Sequence, residues 1–178
     1  RPVDLITNRM TTMVFIDGLR VNDSARLAAP GAGLGALMKG FAVRRVLAAS
    51  EAIGHARFLL DASLTHAKNR VTFGRPIGRN QGVQYPLAQA YARIEAADLM
   101  RWDALALIEA RNPEAGARSA LAKVLASEAL WEMARAALTT FGGWGLASEY
   151  HIERKVREST VYLFNNLSAN WNLKPFDD

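Results

Sequence analysis

Residues 69–87 read NRVTFGRPIGRNQGVQYPL, and this stretch decides how the rest of the chain is laid out. On both sides of it apolar residues recur at helical spacing. Inside it Gly74, Pro76 and Gly78 break that spacing, and glycine and proline are the strongest turn signals. The stretch therefore reads as the connection where one long helix turns back beside the next. A connection needs only turn residues, yet this one carries Arg70, Arg75 and Arg79 within ten residues, with Phe73 among them. Three cations around a glycine–proline bend read either as an ordinary solvated basic loop or as a binding site for an anion.

Towards the N-terminus the pattern predicts a helix over 35–68. Leu37, Phe41, Ala48, Ala52 and Leu59 recur at steps of three, four or seven, which stacks them on one face. Met38, Ala42, Ala49, Ile53, Ala56 and Leu60 form an adjacent face, so the helix is expected in the middle of a bundle. Arg44 and Arg45 interrupt these faces. A guanidinium in an apolar setting is costly unless it is paired or reaches an anion. Either an internal ion pair or an anion at the edge of a ligand cavity answers that cost.

Towards the C-terminus a second helix is predicted over 81–111, with Val83, Leu87, Tyr91, Ile94, Ala97, Ala104 and Ile108 on one stripe. Asn112-Pro113 ends it, since proline suits a first helical turn. A third helix is predicted over 114–140, with Leu121, Leu125, Trp131, Ala134 and Leu138 inward. The turn FGGWG at 141–145 follows, where Gly142 and Gly143 offer left-handed backbone or close approach. A fourth helix is predicted over 148–169, with a break near Asn165 and Asn166. Four helices joined by short turns give an all-α fold, an antiparallel up-and-down bundle.

The first thirty residues follow a different period. Residues 12–16 read as a strand, Asp17-Gly18 as a tight turn and 19–21 as a return strand. A lone hairpin is marginal in water, so we expect residues 1–30 to be the tail of a β-domain that lies upstream, and 31–178 to be the helical bundle. Pro30-Gly31-Ala32-Gly33 marks the boundary.

Composition narrows the function classes. The chain has 178 residues and a net charge of +5, from 22 basic and 17 acidic residues. That balance suits nucleic acid, an acidic partner or a phosphorylated small molecule. The bases form no run and aromatics do not interleave with them, which makes nucleic acid a minor option. The chain has no cysteine, which removes disulfides, thiolate metal sites and cysteine catalysis. It also fits the expected cytoplasmic location. No apolar run approaches the ~20 residues of a membrane span.

Helical bundles often house di-iron centres, which need Glu-x-x-His pairs. His55, His66 and His151 lack a glutamate three residues before them, so no metal is expected. His55 reads as a hydrogen-bonded interior residue. Neither a Gly-x-Ser-x-Gly elbow nor a phosphate-binding Gly-x-x-x-x-Gly-Lys loop is present.

Several separated motifs, in order, resemble one family. RVTFGRPIGRNQGVQYPLA at 70–88 is similar to the signature of the C-terminal domain of acyl-CoA dehydrogenases. FGGWG at 141–145 with EYHIERKVRE at 149–158 resembles the family's second signature, and SALAKVLASEAL at 119–130 resembles the helix between them. The opening VFIDGLRV, GAGLGALMKGF and RRVLAA resemble the end of the family's middle β-domain and its first C-terminal helix. The resemblance implies FAD, held partly across a subunit boundary within a tetramer, and an acyl-CoA substrate with an electron acceptor still unnamed. It implies that Arg70 faces the FAD pyrophosphate, that Thr72 and Phe73 line the adenosine part, and that Gln81, Thr139, Gly142 and Gly143 complete the site. Ser168 matches a threonine near the cofactor, and Thr139 stands where many members have glutamine.

The family's reaction removes a proton alpha to a thioester while hydride leaves the beta carbon, so a carboxylate must serve as base. The glutamate of most members lies nine residues after the arginine matching Arg157; that position holds Asn166. In a subset it precedes the arginine matching Arg45, a substrate-binding position; that seat holds Arg44. Asparagine hydrogen-bonds a carbonyl but takes up no proton at neutral pH. Three readings stay open: the alignment slips near Asn165-Asn166, another residue is the base, or this member does different chemistry. The last includes nitroalkane oxidase-type or monooxygenase-type reactions and a non-catalytic subunit.

Overall fold

A computed structural model describes residues 3–4, 12–13 and 15–164. The chain divides into two compact units, Arg1–Ala36 and Leu37–Asp178. In the first, strand β1 (Val3–Asp4) pairs antiparallel with β2 (Thr12–Met13), with Val3 opposite Met13. The expected hairpin is thus displaced. Residues 19–21 form no strand, and Asp17-Gly18 is a bend with Gly18 at φ +63° rather than a hairpin turn. Leu19 and Val21 stand exposed, and a return strand with no surface to cover gains nothing from extended pairing.

The second unit contains most of helix α1 (Gly33–Asn69), then strands β3 (Val71–Thr72) and β4 (Arg75–Pro76), and helices α2 (Gln81–Glu109), α3 (Ala115–Phe141) and α4 (Ile152–Phe164). The predicted helices match to within a few residues. At the 112–115 turn the Asn112 side chain accepts the Glu114 amide at 2.9 Å, so α3 starts at Ala115. The fourth helix begins late. A 3-10 turn occupies Ser148–Tyr150, and His151 adopts left-handed backbone before α4 starts. The expected end of this helix at 169, and with it Asn166 and Ser168, lies outside the described residues.

The hydrophobic core is one cluster drawn from all four helices. From α1 it takes Val46, Ala49, Ala52, Ile53, Ala56 and Leu59, steps of three and four that trace one stripe. From α2 it takes Leu87, Ala90, Ile94, Ala97 and Ala104; Tyr91, expected inward, is exposed, and Ala90 faces the core instead. The expected central helix also changes. Leu37, Met38, Val43, Leu47, Phe58 and Leu64 leave much of α1 exposed, whereas α3 is buried nearly all round. The physical reason is size. Ala120, Ala122, Ala126, Ala129, Ala134 and Ala137 make α3 thin enough for neighbours on every side.

Ion pairs on the surface follow the antiparallel order. Arg57 on α1 reaches Asp98 on α2 at 2.9 Å, and Arg93 on α2 reaches Glu132 on α3 at 2.7 Å. Asp98 also binds Arg101 at 2.6 Å. Burial pulls the Asp98 carboxyl upward, but the hydrogen bonds from Arg101 and Arg57 outweigh it and hold the group below its ordinary value.

A cleft between two basic and glycine turns

The connection of residues 69–87 is built tightly. The Arg70 amide donates to the His66 carbonyl at 2.8 Å and the Ile77 amide to the Arg70 carbonyl at 2.9 Å, so the chain leaves α1 and returns within a few residues. Between these bonds β3 and β4 pair, Thr72 opposite Arg75. The two residues at the tip, Phe73 and Gly74, have φ of 52° and 77°. Positive φ at both central positions suits the right-handed twist of paired strands, but for phenylalanine it is strained. Among the described residues no packing compensates that strain, because the Phe73 ring is fully exposed.

The 3-10 turn Ile77–Arg79 then lies against α1. A Cβ on Gly78 would sit 3.0 Å from the Ala67 carbonyl oxygen, so glycine permits this approach. Gln84 donates to the Gly78 carbonyl at 2.7 Å and Arg75 to the Asn80 side chain at 2.7 Å, which fixes the entry into α2.

The second turn closes α3. Gly142 adopts φ 57° and ψ −135°, a conformation essentially reserved for glycine. Gly145 packs where a Cβ would meet Leu138 at 3.0 Å. Gly143 shows neither feature, and the space before it is open. His66 stacks on Phe141 with ring centroids 4.1 Å apart, Phe141 meets Tyr150 at 5.4 Å and Tyr150 meets Trp144 at 5.8 Å. This aromatic chain ties the last turn of α1 to the end of α3.

The two turns flank a wide-open cleft of about 630 Å³, within the ordinary size range for small-molecule sites. Arg70, Thr72, Thr139, Gly142 and Gly143 all line it, together with His66 and Trp144. Its only ionisable side chains among the described residues are Arg70 and His66; no carboxylate lines it. It adjoins the C-terminal ends of α1 and α3, whose carbonyls favour cations.

Not every expected residue is there. Phe73 points into solvent at the hairpin tip, and Gln81 lines a separate recess beside Gly82, Gln84, Tyr85 and Ala88. Thr139 lies between the cleft and a groove of α2 and α3, its hydroxyl donating to the Arg135 carbonyl at 2.9 Å. Within one chain the structure brings five of the expected cofactor residues to one cleft and leaves these two apart.

On α1 the adjacent arginines part company: Arg44 is exposed and Arg45 buried, its guanidinium 5.9 Å from the Phe41 ring centroid. Burial lowers the Arg45 pKa. Near it lies Lys123, fully buried on α3, whose ammonium donates to the Tyr162 carbonyl of α4 at 2.7 Å. Desolvation and then Arg45 push Lys123 downward as well. His55 of α1 is half-buried, edge-on to the Tyr162 ring at 5.6 Å, with Nε2 3.4 Å from Lys155 Nζ. Its Nδ1 is buried with no hydrogen bond among the described residues, so the expected interior histidine is only partly satisfied. Burial, then Lys155, lowers its pKa. Lys155 also binds Glu158 at 2.7 Å. The sequence reading missed His66 and Lys123. Their signals were present: His66 is one helical turn before Arg70, and Lys123 interrupts an alanine-rich run.

This fold is an antiparallel helical domain with a carboxylate-free cleft at the meeting of two turns. The chain belongs to the acyl-CoA dehydrogenase family: the family model described as "Acyl-CoA dehydrogenase, C-terminal domain" matches residues 31–164. It is similar to an acyl-CoA dehydrogenase of Bacillus subtilis (strain 168), 34% identical over 151 residues, which cover 85% of this chain and 40% of the relative. The solved glutaryl-coenzyme A dehydrogenase complex with glutaryl-CoA superposes with TM-score 0.81 at 30% identity, over 89% of this chain and 40% of that one. A structure described as the FAD complex of PigA superposes with TM-score 0.83 at 26% identity, over 91% of this chain and 42% of that one. The chain thus spans about 40% of the length of these relatives. Among the described residues no helix is long and apolar enough to cross a membrane.

Proposed function

We propose that this chain is the C-terminal, FAD-binding and oligomerisation domain of a cytoplasmic acyl-CoA dehydrogenase-like flavoprotein that oxidises the alpha–beta bond of an acyl-CoA thioester. One observation carries the reading. Arg70, Thr72, Thr139, Gly142 and Gly143 come from two turns far apart in sequence and meet on one cleft without a carboxylate. A diphosphate suits such a lining: Arg70 supplies a charge-assisted hydrogen bond, and Gly143 leaves room for a ligand to approach the backbone. FAD, when bound, supplies the two-electron acceptor.

Phe73 and Gln81 fit the same proposal across a subunit boundary. An exposed ring on a strained hairpin tip gains a purpose if it covers the cofactor of a neighbouring chain in a tetramer. Arg45, buried with its guanidinium near the Phe41 ring, is the substrate-binding residue of this proposal.

A second reading rests on a specific observation. Both seats of the usual base hold groups that accept no proton at neutral pH, Asn166 and the exposed Arg44. A relative with different flavin chemistry, or a non-catalytic subunit completing a partner's FAD site, accounts for that. The test uses the whole protein that contains this domain, its flavin spectrum followed while saturated acyl-CoA thioesters are added. Prompt bleaching supports dehydrogenation and defeats the scaffold reading; a stable flavin spectrum favours the second reading; absence of bound flavin overturns both flavin-based readings.

A further inference from the structure

His66 is the second basic side chain of the cleft, beside Arg70. It sits in the last turn of α1, one helical turn before Arg70, and its ring forms part of the cleft wall. Among the described residues no group hydrogen-bonds either ring nitrogen. Three features of its surroundings favour the imidazolium. The carbonyl end of α1 attracts positive charge. The face of Phe141, 4.1 Å away and nearly parallel, stabilises a cation laid upon it. A diphosphate in the same cleft would add a negative charge within reach.

Two features oppose the proton. Partial burial removes water from the ring, and the Arg70 guanidinium repels a second positive charge; together they hold the His66 pKa below its ordinary 6.5. Among the described residues no other charged group bears on it. From α3 and the turn after it the lining residues are Thr139, Thr140, Phe141, Gly142, Gly143 and Trp144, none of which titrates near neutrality. Tyr150 touches the far members of the aromatic chain, Phe141 and Trp144. The balance at His66 therefore turns on the occupant of the cleft.

We propose that His66 is a ligand-binding residue of this cleft that takes up a proton when a diphosphate diester binds, so that anion binding and protonation are coupled. This rests on the reading of the cleft as a dinucleotide site and adds a residue and a linkage to it. The sign follows from the direction of the change. The bound state prefers the protonated ring, so affinity is greatest in acid and falls as pH rises between the free and bound pKa values, by at most about tenfold per pH unit for one proton. Below the free pKa and above the bound one it is flat. A fixed guanidinium such as Arg70 produces no such slope.

The test is titration calorimetry on the whole apoprotein, in pairs of buffers with different ionisation enthalpy. FAD and ADP-ribose are the probes, because the phosphates of a diphosphate diester do not titrate near neutrality. Wild type is expected to take up a fraction of a proton per site, greatest between the free and bound pKa values. In His66→Gln that uptake should vanish and affinity should become independent of pH, several-fold below that of wild type in acid. His66→Arg should bind at every pH about as tightly as wild type does in acid. FAD binding with the same proton count in wild type and His66→Gln overturns the linkage and leaves the FAD reading standing. Proton-coupled binding of ADP-ribose without binding of FAD keeps the linkage and overturns the FAD reading. Failure of both probes to bind overturns both.

Discussion

The cleft end of the bundle and the seam between α1, α3 and α4 both place polar groups among apolar ones, but they do so in different ways. At the seam the groups face inward and most find partners: Lys123 reaches the Tyr162 carbonyl and Lys155 reaches Glu158, while His55 packs on Tyr162 with its Nδ1 left unbonded among the described residues. At the cleft they face an opening. Gly143 has empty space before it, and His66 has no hydrogen-bond partner for either ring nitrogen among the described residues; at the hairpin tip outside the cleft, Phe73 holds a strained backbone with an unburied ring. Interior polar groups that are paired hold a fold in one arrangement. Polar and strained groups that the fold does not use are the better guide to ligands.

This contrast predicts that mutations separate stability from binding. The largest effect is expected in the core. Leu130→Ala, at a fully buried position of α3, should lower unfolding free energy by about 3 kcal/mol through lost burial and a residual cavity. A urea denaturation curve measures it, and a loss below half that value would show that the alanine-rich packing relaxes around the gap.

At the cleft, Arg70→Ala should weaken FAD binding by the whole protein at least tenfold, the order expected for one charge-assisted hydrogen bond. Its urea midpoint should stay near that of wild type, since the side chain is exposed. An equal fall in stability and affinity would erase the distinction between the two regions.

A smaller effect concerns the ion pairs. Asp98→Asn should cost about 1 kcal/mol at neutral pH, discounted because Arg57 is half-exposed. The sign with pH is fixed by depressed carboxylates: the contribution of Asp98 and Glu158 is present above the unfolded carboxylate pKa and is lost as pH falls through the folded one. His55, also depressed, takes up a proton more readily when unfolded, so stability already declines as pH drops below 6.5. Thermal melts between pH 7 and 3 should show two successive declines, with the lower one shallower in Asp98→Asn.

The smallest change in stability is expected at the hairpin tip. Phe73→Gly relieves positive φ and buries nothing less, so the domain should be unchanged or more stable by up to about 1 kcal/mol. Flavin retention during gel filtration should nevertheless fall if the ring covers a cofactor. Full retention would reduce Phe73 to an ordinary turn residue.

Much of this was legible in the sequence. The helical period placed four helices to within a few residues, and glycine, proline and arginine marked the turn at 69–87. The N-terminal pairing was misplaced because residues 12–16 have strand-like periodicity in either direction, and only a pairing partner decides which strand they join. Tyr91 and Ala90 show the same limit. Both fit a helical stripe, and the packing of α2 against its neighbours chose the smaller one. His66 escaped notice because one histidine at a helix end carries no pattern of its own.

The sequence by itself determined the four helices and the turns between them, because period and turn propensity are local. On the resemblance alone, Asn166 and Arg44 are expected at the seats where the family carries a carboxylate. Which helix is central, and which residues share a site, was decided by tertiary structure alone. Only the packing of α1 against α3 brings the Arg70 turn to face Gly142, and stacks His66 on Phe141, across seventy-odd residues of chain.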